Sequence, residues 1–320
     1  MENLTLLRIP PATHEFVLSG ILCLLIGIAG ILCNIIILVI VRRNKKLHTS
    51  CFYMIACQAA YGLVMGVSFA TDGIHRLGYA LSIFPSVVSE KTCLGIYWTK
   101  LISHTPGALI TCGIGLDRLL AVTISLQNYS QIASLVARTT IGASLVMGLI
   151  NEVMGIATTT KSYHGDVWCL NYFTALNKGF TIYVSVIDLF FFLVSILLYG
   201  SIILKVKRSE KLFKITSSGS VVPLGISNRE QVSEQEVFMK KQLALMPLMK
   251  SIMIAFIIVG VAPAILSSVA PYVDHGRLQA EIILYESILR SIGGVADFRA
   301  LTIKCQEFRK SLLAMFGRSI

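Results

Sequence analysis

Long apolar runs separated by short polar segments dominate the sequence. A helix needs about 20 apolar residues to cross the ~30 Å hydrocarbon core of a bilayer, and seven stretches of the chain approach or exceed that length. They are approximately Phe16–Val41, Thr49–Ala70, Cys93–Val122, Ala137–Thr158, Phe180–Val206, Leu243–Val269 and Ala280–Ile303. The pattern predicts an all-α membrane protein built as a bundle of seven transmembrane helices.

A shorter amphipathic segment follows the seventh span. Phe308, Leu312 and Met315 share one helical face of Gln306–Phe316, and basic residues lie off that face. This arrangement is typical of a helix that lies in the membrane interface. We therefore expect the bundle to be followed by a short amphipathic C-terminal helix.

Basic residues are distributed unevenly among the segments that connect the spans. Alternate connections hold most of them, including Arg42 to Lys46 and the cluster from Lys205 to Lys214, whereas the other connections hold isolated cations such as Arg76 and Lys91. Since Lys and Arg accumulate on the cytoplasmic side, the N-terminus is predicted to lie outside and the C-terminus inside.

These signals divide the chain into three parts. Residues 1–15 form an extracellular N-terminus, 16–303 the membrane domain with a third inner loop at about 207–240, and 304–320 a cytoplasmic amphipathic helix and tail. Asn3 begins an Asn-Leu-Thr glycosylation sequon on the predicted outer side.

Composition supports the bilayer as the solvent and argues against other classes. The chain is 55% hydrophobic and only 14% charged, against about 25% charged residues in soluble domains. The net charge of +11 does not indicate nucleic-acid binding, because the cations stand in short clusters between apolar runs. No nucleophile, phosphate-loop or metal-ligand motif is present, so we predict neither an enzyme nor a bound cofactor.

Cys93 and Arg118 mark the two ends of the third span. They are 25 residues apart, which corresponds to roughly 37 Å of helix and crosses the membrane. Cys169 is the other cysteine that the pattern places outside the spans on the outer side, so a Cys93–Cys169 disulfide is the natural pairing in that oxidising compartment. Two free thiols are the alternative.

The Asp117-Arg118 pair stands at the inner end of the same span. A buried Arg near the membrane face is costly unless it is paired, and the adjacent Asp117 can hold it. Release of Arg118 would present a forked donor to a cytoplasmic partner, which makes the pair a two-state element that an outer ligand can bias. A pair that only anchors the helix in the interface is the alternative.

Four ionisable residues lie in the outer halves of two spans. Lys100 and His104 are one helical turn apart, as are Glu286 and Arg290. Intramembrane charges point into the bundle and often mark a binding site, so these four residues are predicted to line a cavity for a small ligand with an anionic or carbonyl group. An internal Lys100–Glu286 salt bridge without a ligand is the alternative.

The third span resembles that of the rhodopsin-like (class A) G-protein-coupled receptors. Cys93, its spacing and Asp117-Arg118-Leu119 match the family pattern, in which Asp-Arg-Tyr is usual and Leu119 replaces the Tyr. Further matches are Asn34, Leu47-His48-Thr49, Pro263, Glu307-Phe308-Arg309-Lys310, and Asp297 at the start of the family's Asn-Pro-x-x-Tyr motif. The segment Gly30 to Tyr129 looks most like the Srsx group of nematode serpentine chemoreceptors.

The resemblance implies a chemosensory receptor in the plasma membrane. Such a receptor binds an extracellular small molecule or peptide and activates a heterotrimeric G protein. Asp117, Arg118 and Asp297 then belong to the switch that couples the two events.

Several family positions are altered in this chain. Gly62 replaces the usual sodium-site Asp, and Phe191 replaces the usual fifth-span Pro. Val261 replaces the sixth-span Trp. Phe298 and Leu301 replace the seventh-span Pro and Tyr. A receptor homologue with impaired signalling therefore stays an alternative, as does a secondary transporter or channel that uses the same charges. The lack of an internal repeat argues against a transporter made of duplicated halves.

Overall fold

Five long helices make up the larger part of the computed structural model. It describes residues 13–85, 87–162, 166–169, 178–218, 251, 254, 257–269, 272–273, 282, 285–286, 288–290 and 292–315. The five helices are α1 (Thr13–Arg43), α2 (Ser50–Ala80), α3 (Glu90–Thr123), α4 (Leu126–Ser162) and α5 (Lys178–Ser218). Each is long and apolar enough to cross a membrane.

Shorter helices follow in the C-terminal third. A π-helical turn at Ile257–Val261 leads into α6 (Ala262–Val269), and α7 (Gly293–Lys304) precedes α8 (Gln306–Met315). The predicted starts of the sixth and seventh spans, 243 and 280, lie outside the described residues, as does the Asn3 sequon.

Three helices extend further than their apolar runs. α2 continues to Ala80 although its predicted span ends at Ala70, α4 begins at Leu126 rather than near Ala137, and α5 runs to Ser218 into the segment predicted as the third inner loop. Hydropathy marks only the part of a helix that matches the bilayer. The backbone hydrogen bonds of a helix can continue beyond it wherever the side chains find water or partners.

α1 and α2 pack with their backbones in close approach. A Cβ atom added at Gly27 would lie 2.6 Å from the Ala70 backbone nitrogen, and one at Gly73 would lie 2.6 Å from the Leu24 backbone nitrogen. Small residues at such contacts let membrane helices gain van der Waals packing, which replaces the hydrophobic driving force that is missing between helices in lipid.

A two-stranded antiparallel sheet covers the start of α3. Its strands, β1 (Val87–Ser89) and β2 (Asp166–Trp168), pair antiparallel. Ser89 then caps α3 by accepting a hydrogen bond from the Thr92 backbone amide at 3.2 Å. The cap satisfies one of the unpaired amides at the helix start and sets the residue at which the strand ends and the helix begins.

α8 is anchored to the opposite end of the bundle. Phe308 is fully buried in an apolar cluster with Ile37, Leu47 and Leu301. Met315 is 37% exposed, so the C-terminal end of the predicted apolar face is not fully packed against the protein.

Candidate functional site

The predicted disulfide between Cys93 and Cys169 is present. Their Cα atoms are 5.4 Å apart and the bond spans 76 positions of sequence. Cys93 is fully buried and Cys169 nearly so, in a cluster with Tyr97 and Phe180. Because Cys169 directly follows β2, the bond holds the two-stranded sheet against the first turn of α3.

A buried carboxylate, Asp72 on α2, organises the polar contacts between α2 and α3. It accepts hydrogen bonds from Arg76 Nε and Nη2 at 2.8 and 2.9 Å, from the Tyr97 hydroxyl at 2.8 Å and from Lys100 Nζ at 3.2 Å. All four side chains are buried. We call this group the Asp72 cluster.

Sequence reasoning missed most of the Asp72 cluster. It ended the second span at Ala70 and counted Arg76 among the outer-loop cations. That assignment is wrong, since Arg76 is fully buried within α2. The available signal was the i, i+4 spacing of Asp72 and Arg76, which places an acid and a base on one helix face.

Lys100 is the predicted site residue that the structure brings to this cluster. In addition to its ion pair with Asp72, its ammonium nitrogen lies 4.8 Å from the Phe69 ring centroid and 5.0 Å from that of Tyr97. Rings at this distance stabilise a cation through their quadrupoles. The side chain of His104 lies outside the described residues.

Glu286 and Arg290 form a second buried group, the Arg290 cluster. Arg290 Nε donates to Glu286, and its Nη2 donates to the Ser267 hydroxyl at 3.0 Å, which in turn donates to Glu286 at 3.2 Å. A carboxylate oxygen of Asp188 on α5 lies 3.9 Å from Arg290 Nη1. The alternative raised from the sequence was a Lys100–Glu286 salt bridge. Among the described contacts, Lys100 pairs with Asp72 and Glu286 pairs with Arg290.

An internal cavity of about 120 Å³ adjoins the Arg290 cluster. Arg290 and Asp297 both line it, together with Gln58 on α2 and Ser103 on α3. The volume is sufficient for several waters. Gly62 also lines the cavity, and a Cβ atom added there would lie within 2.9 Å of the Asn34 amide. The cavity places Asp297, a predicted switch residue, beside a predicted ligand residue.

Asp117 and Arg118 form a compact polar group at the other end of α3. Arg118 Nε and Nη2 donate to Asp117 Oδ2 at 2.9 and 2.6 Å. The Tyr129 hydroxyl near the start of α4 accepts from Arg118 Nη2 at 3.2 Å and donates to Asp117 Oδ1 at 3.1 Å. Asp117 is fully buried, and the Arg118 side chain is 13% exposed.

Tyr129 was not identified from the sequence as a partner of this pair. Its signal was weak, since it stands within the Asn128-Tyr129-Ser130 sequon, in the segment that the apolar pattern left between the third and fourth spans. A second phenol, Tyr199 on α5, is buried in a cluster with Ile202 and Val206, against which Leu119 of α3 packs. Its buried hydroxyl makes no hydrogen bond within the described part of the chain.

Comparisons with known proteins place these features in context. The family described as "7 transmembrane receptor (rhodopsin family)" matches residues 33–288. The structure of squid rhodopsin aligns with a TM-score of 0.76 and 13% identity, over 99% of this chain and 90% of that one. No curated protein sequence matches the chain. The family match and the shared architecture confirm the predicted all-α, seven-helix bundle with a short C-terminal helix.

Proposed function

Because the chain belongs to the rhodopsin family of seven-transmembrane receptors, we propose that it is a chemosensory receptor that activates a heterotrimeric G protein. Family membership makes it a multi-pass membrane receptor and not an enzyme. The chemosensory role rests on the likeness of Gly30 to Tyr129 to the Srsx group of nematode chemoreceptors. The ligand in this proposal is an extracellular small molecule or peptide.

The group formed by Asp117, Arg118 and Tyr129 is the observation that carries G-protein coupling. It holds the Arg118 guanidinium in charge-assisted hydrogen bonds at one end of α3, while the Cys93–Cys169 disulfide fixes the other end. An Arg restrained in this way is one state of a two-state element. In the other state the Arg118 guanidinium contacts the G protein. An Arg suits this role better than a Lys because it presents five hydrogen-bond donors in a planar fork.

The buried ionic clusters support a ligand site in the outer half of the bundle. Lys100 and Arg76 both donate to Asp72, so a ligand carboxylate or carbonyl can compete with Asp72 for either cation. Buried ion pairs are costly to assemble, and their presence in a membrane span marks a functional site by default. Lys100, His104, Glu286 and Arg290 remain the proposed ligand contacts.

Arg290 supplies a route from the ligand site towards the inner face. It pairs with Glu286 in the outer cluster and also lines the cavity that Asp297 lines. A ligand that draws Arg290 from this position changes the charge facing Asp297. We propose Asp297 as the residue that relays the change towards Arg118.

The proposed orientation places the N-terminus outside the plasma membrane. Exposed cations at the end of α1 and on α8, such as Arg43, Lys46 and Lys310, support a cytoplasmic location for that end of the bundle. An Asn3→Gln variant tests it directly. Loss of an N-linked glycan from Asn3 supports an outer N-terminus, and glycosylation at Asn128 in its place contradicts it.

A G-protein activation screen with candidate ligands, in cells that express the chain, tests the function. Arg118→Ala is expected to abolish the response at equal surface expression. Lys100→Gln and Arg290→Gln are expected to weaken ligand potency, with Lys91→Gln, an exposed outer cation, as the matched control. An unchanged response in Lys100→Gln and Arg290→Gln refutes the ligand site, and substrate uptake by vesicles that contain only this protein favours a transporter.

A further inference from the structure

Two segments that are distant in sequence meet at the inner end of the bundle. The Asn44 side-chain amide, just after α1, donates a hydrogen bond to the Ser311 hydroxyl on α8 at 2.6 Å. Leu47 and Phe308, one from each segment, are both buried in the same apolar cluster. The turn after α1 and the first part of α8 therefore form one fixed corner of the protein.

This corner carries a dense set of exposed cations. The basic side chains of the two segments are Arg42, Arg43, Lys45, Lys46, Arg309 and Lys310, and every one of them is exposed. Glu307 is the one acidic residue in the two segments. Within the described residues, none of these cations forms a salt bridge within 4.0 Å. The corner thus presents concentrated positive charge that no salt bridge from the described part of the chain neutralises.

We propose that this basic corner is a binding site for the multiply phosphorylated headgroup of an inositol phospholipid. Clusters of four to eight Lys and Arg directly beside a transmembrane helix or on an amphipathic helix attract such lipids. Phe308 is buried against the bundle. An amphipathic α8 that lies in the membrane interface would hold Arg309 and Lys310 at the depth of the headgroups. The proposal rests on the proposed orientation, which faces the corner towards the leaflet rich in anionic lipid.

The geometry favours a multivalent headgroup over a diffuse anionic surface. Cations that only set the orientation of the chain must lie on the cytoplasmic side of the membrane, and a cation in any cytoplasmic loop meets that requirement. Here a buried apolar contact and the Asn44–Ser311 hydrogen bond bring cations from two segments together. Arg guanidinium groups bind phosphate oxygens through paired, charge-assisted hydrogen bonds, and several phosphates on one ring can engage both segments at once.

The test measures lipid binding by the full-length protein in phosphatidylcholine nanodiscs. A fluorescent phosphatidylinositol bisphosphate is titrated against the parent chain and against a corner variant, Lys45→Gln/Lys46→Gln/Arg309→Gln. The matched control, Lys205→Gln/Lys207→Gln/Arg208→Gln, removes the same charges from exposed positions on α5. We expect the corner variant to bind about tenfold more weakly, and the control to bind within about twofold of the parent.

Three outcomes overturn the proposal. They are unchanged binding by the corner variant, an equal loss in the control, and equally tight binding of phosphatidylserine supplied at the same total lipid charge. Nanodiscs expose both leaflets, so the result does not depend on orientation. The binding test needs neither ligand nor G protein. A negative lipid-binding result therefore does not contradict the proposed signalling function, and a failure to signal does not contradict lipid binding.

Discussion

Tyr129 donates a hydrogen bond to the buried Asp117 carboxylate at 3.1 Å, from the start of α4 to the C-terminal end of α3. The same hydroxyl accepts from Arg118. The Asp117-Arg118 pair is therefore closed by a third side chain that lies beyond the end of its own helix. Movement of α4 relative to α3 would open it.

Tyr129→Phe is expected to raise ligand-independent G-protein activation. The substitution keeps the ring but removes a hydrogen bond to a charged group, and such bonds contribute about 1.5–3 kcal/mol. Even ~1 kcal/mol of bias towards the released state increases its population roughly fivefold. Basal activation is measured at matched surface expression, with Tyr53→Phe at a 50%-exposed phenol as the control. Basal activity equal to that of the control would refute the restraining role of Tyr129.

Asp72→Asn is expected to destabilise the receptor strongly. The amide cannot neutralise Arg76 and Lys100, which both donate to Asp72 in the buried cluster, and an uncompensated buried charge costs about 3–5 kcal/mol. Thermal unfolding of the purified protein in nanodiscs measures the loss. Glu307→Gln, at an exposed carboxylate, should leave the melting temperature unchanged. Equal melting temperatures for the two variants would contradict a structural role for the Asp72 cluster.

The contact between α1 and α2 predicts opposite effects for two alanine substitutions in one helix. In Gly27→Ala the new methyl group meets the α2 backbone, which must move apart at a cost of about 1–3 kcal/mol. In Gly30→Ala it meets no heavy atom within 4 Å, so helix propensity alone acts and slightly favours the variant. Melting temperatures report both effects, and a Gly27→Ala protein as stable as Gly30→Ala would show that the helices do not pack this closely.

Loss of the disulfide should destabilise the receptor and release the two-stranded sheet over α3. Cys169→Ser opens a loop of 76 positions, and removal of such a link typically costs about 2–4 kcal/mol. A reducing agent should lower the melting temperature of the parent chain to that of Cys169→Ser and leave the variant unaffected. Cys33→Ser, at a free cysteine, serves as the control and should keep the sensitivity to reduction.

The Asp72 and Arg290 clusters show why part of the candidate site was not predicted. Lys100, Glu286 and Arg290 interrupt apolar runs, and an isolated charge in a predicted span is conspicuous. Asp72 and Arg76 lie beyond the apolar run of α2, where the sequence resembles a loop. Burial there depends on the partners that α3 supplies, namely Tyr97 and Lys100. Those contacts involve residues more than twenty positions away.

The membrane class, the helical bundle and the two ends of α3 follow from the amino-acid sequence alone. Apolar length, the bias of Lys and Arg and the reach from Cys93 to Arg118 depend on properties of a single helix in a bilayer, and these are local in sequence. Which charged side chains contact one another depends on the tertiary structure. The Asp72 cluster, the contact of Tyr129 with Asp117 and the basic corner formed with α8 arise from packing between helices. Packing is decided by the fit of side chains from separate segments, which no single segment encodes.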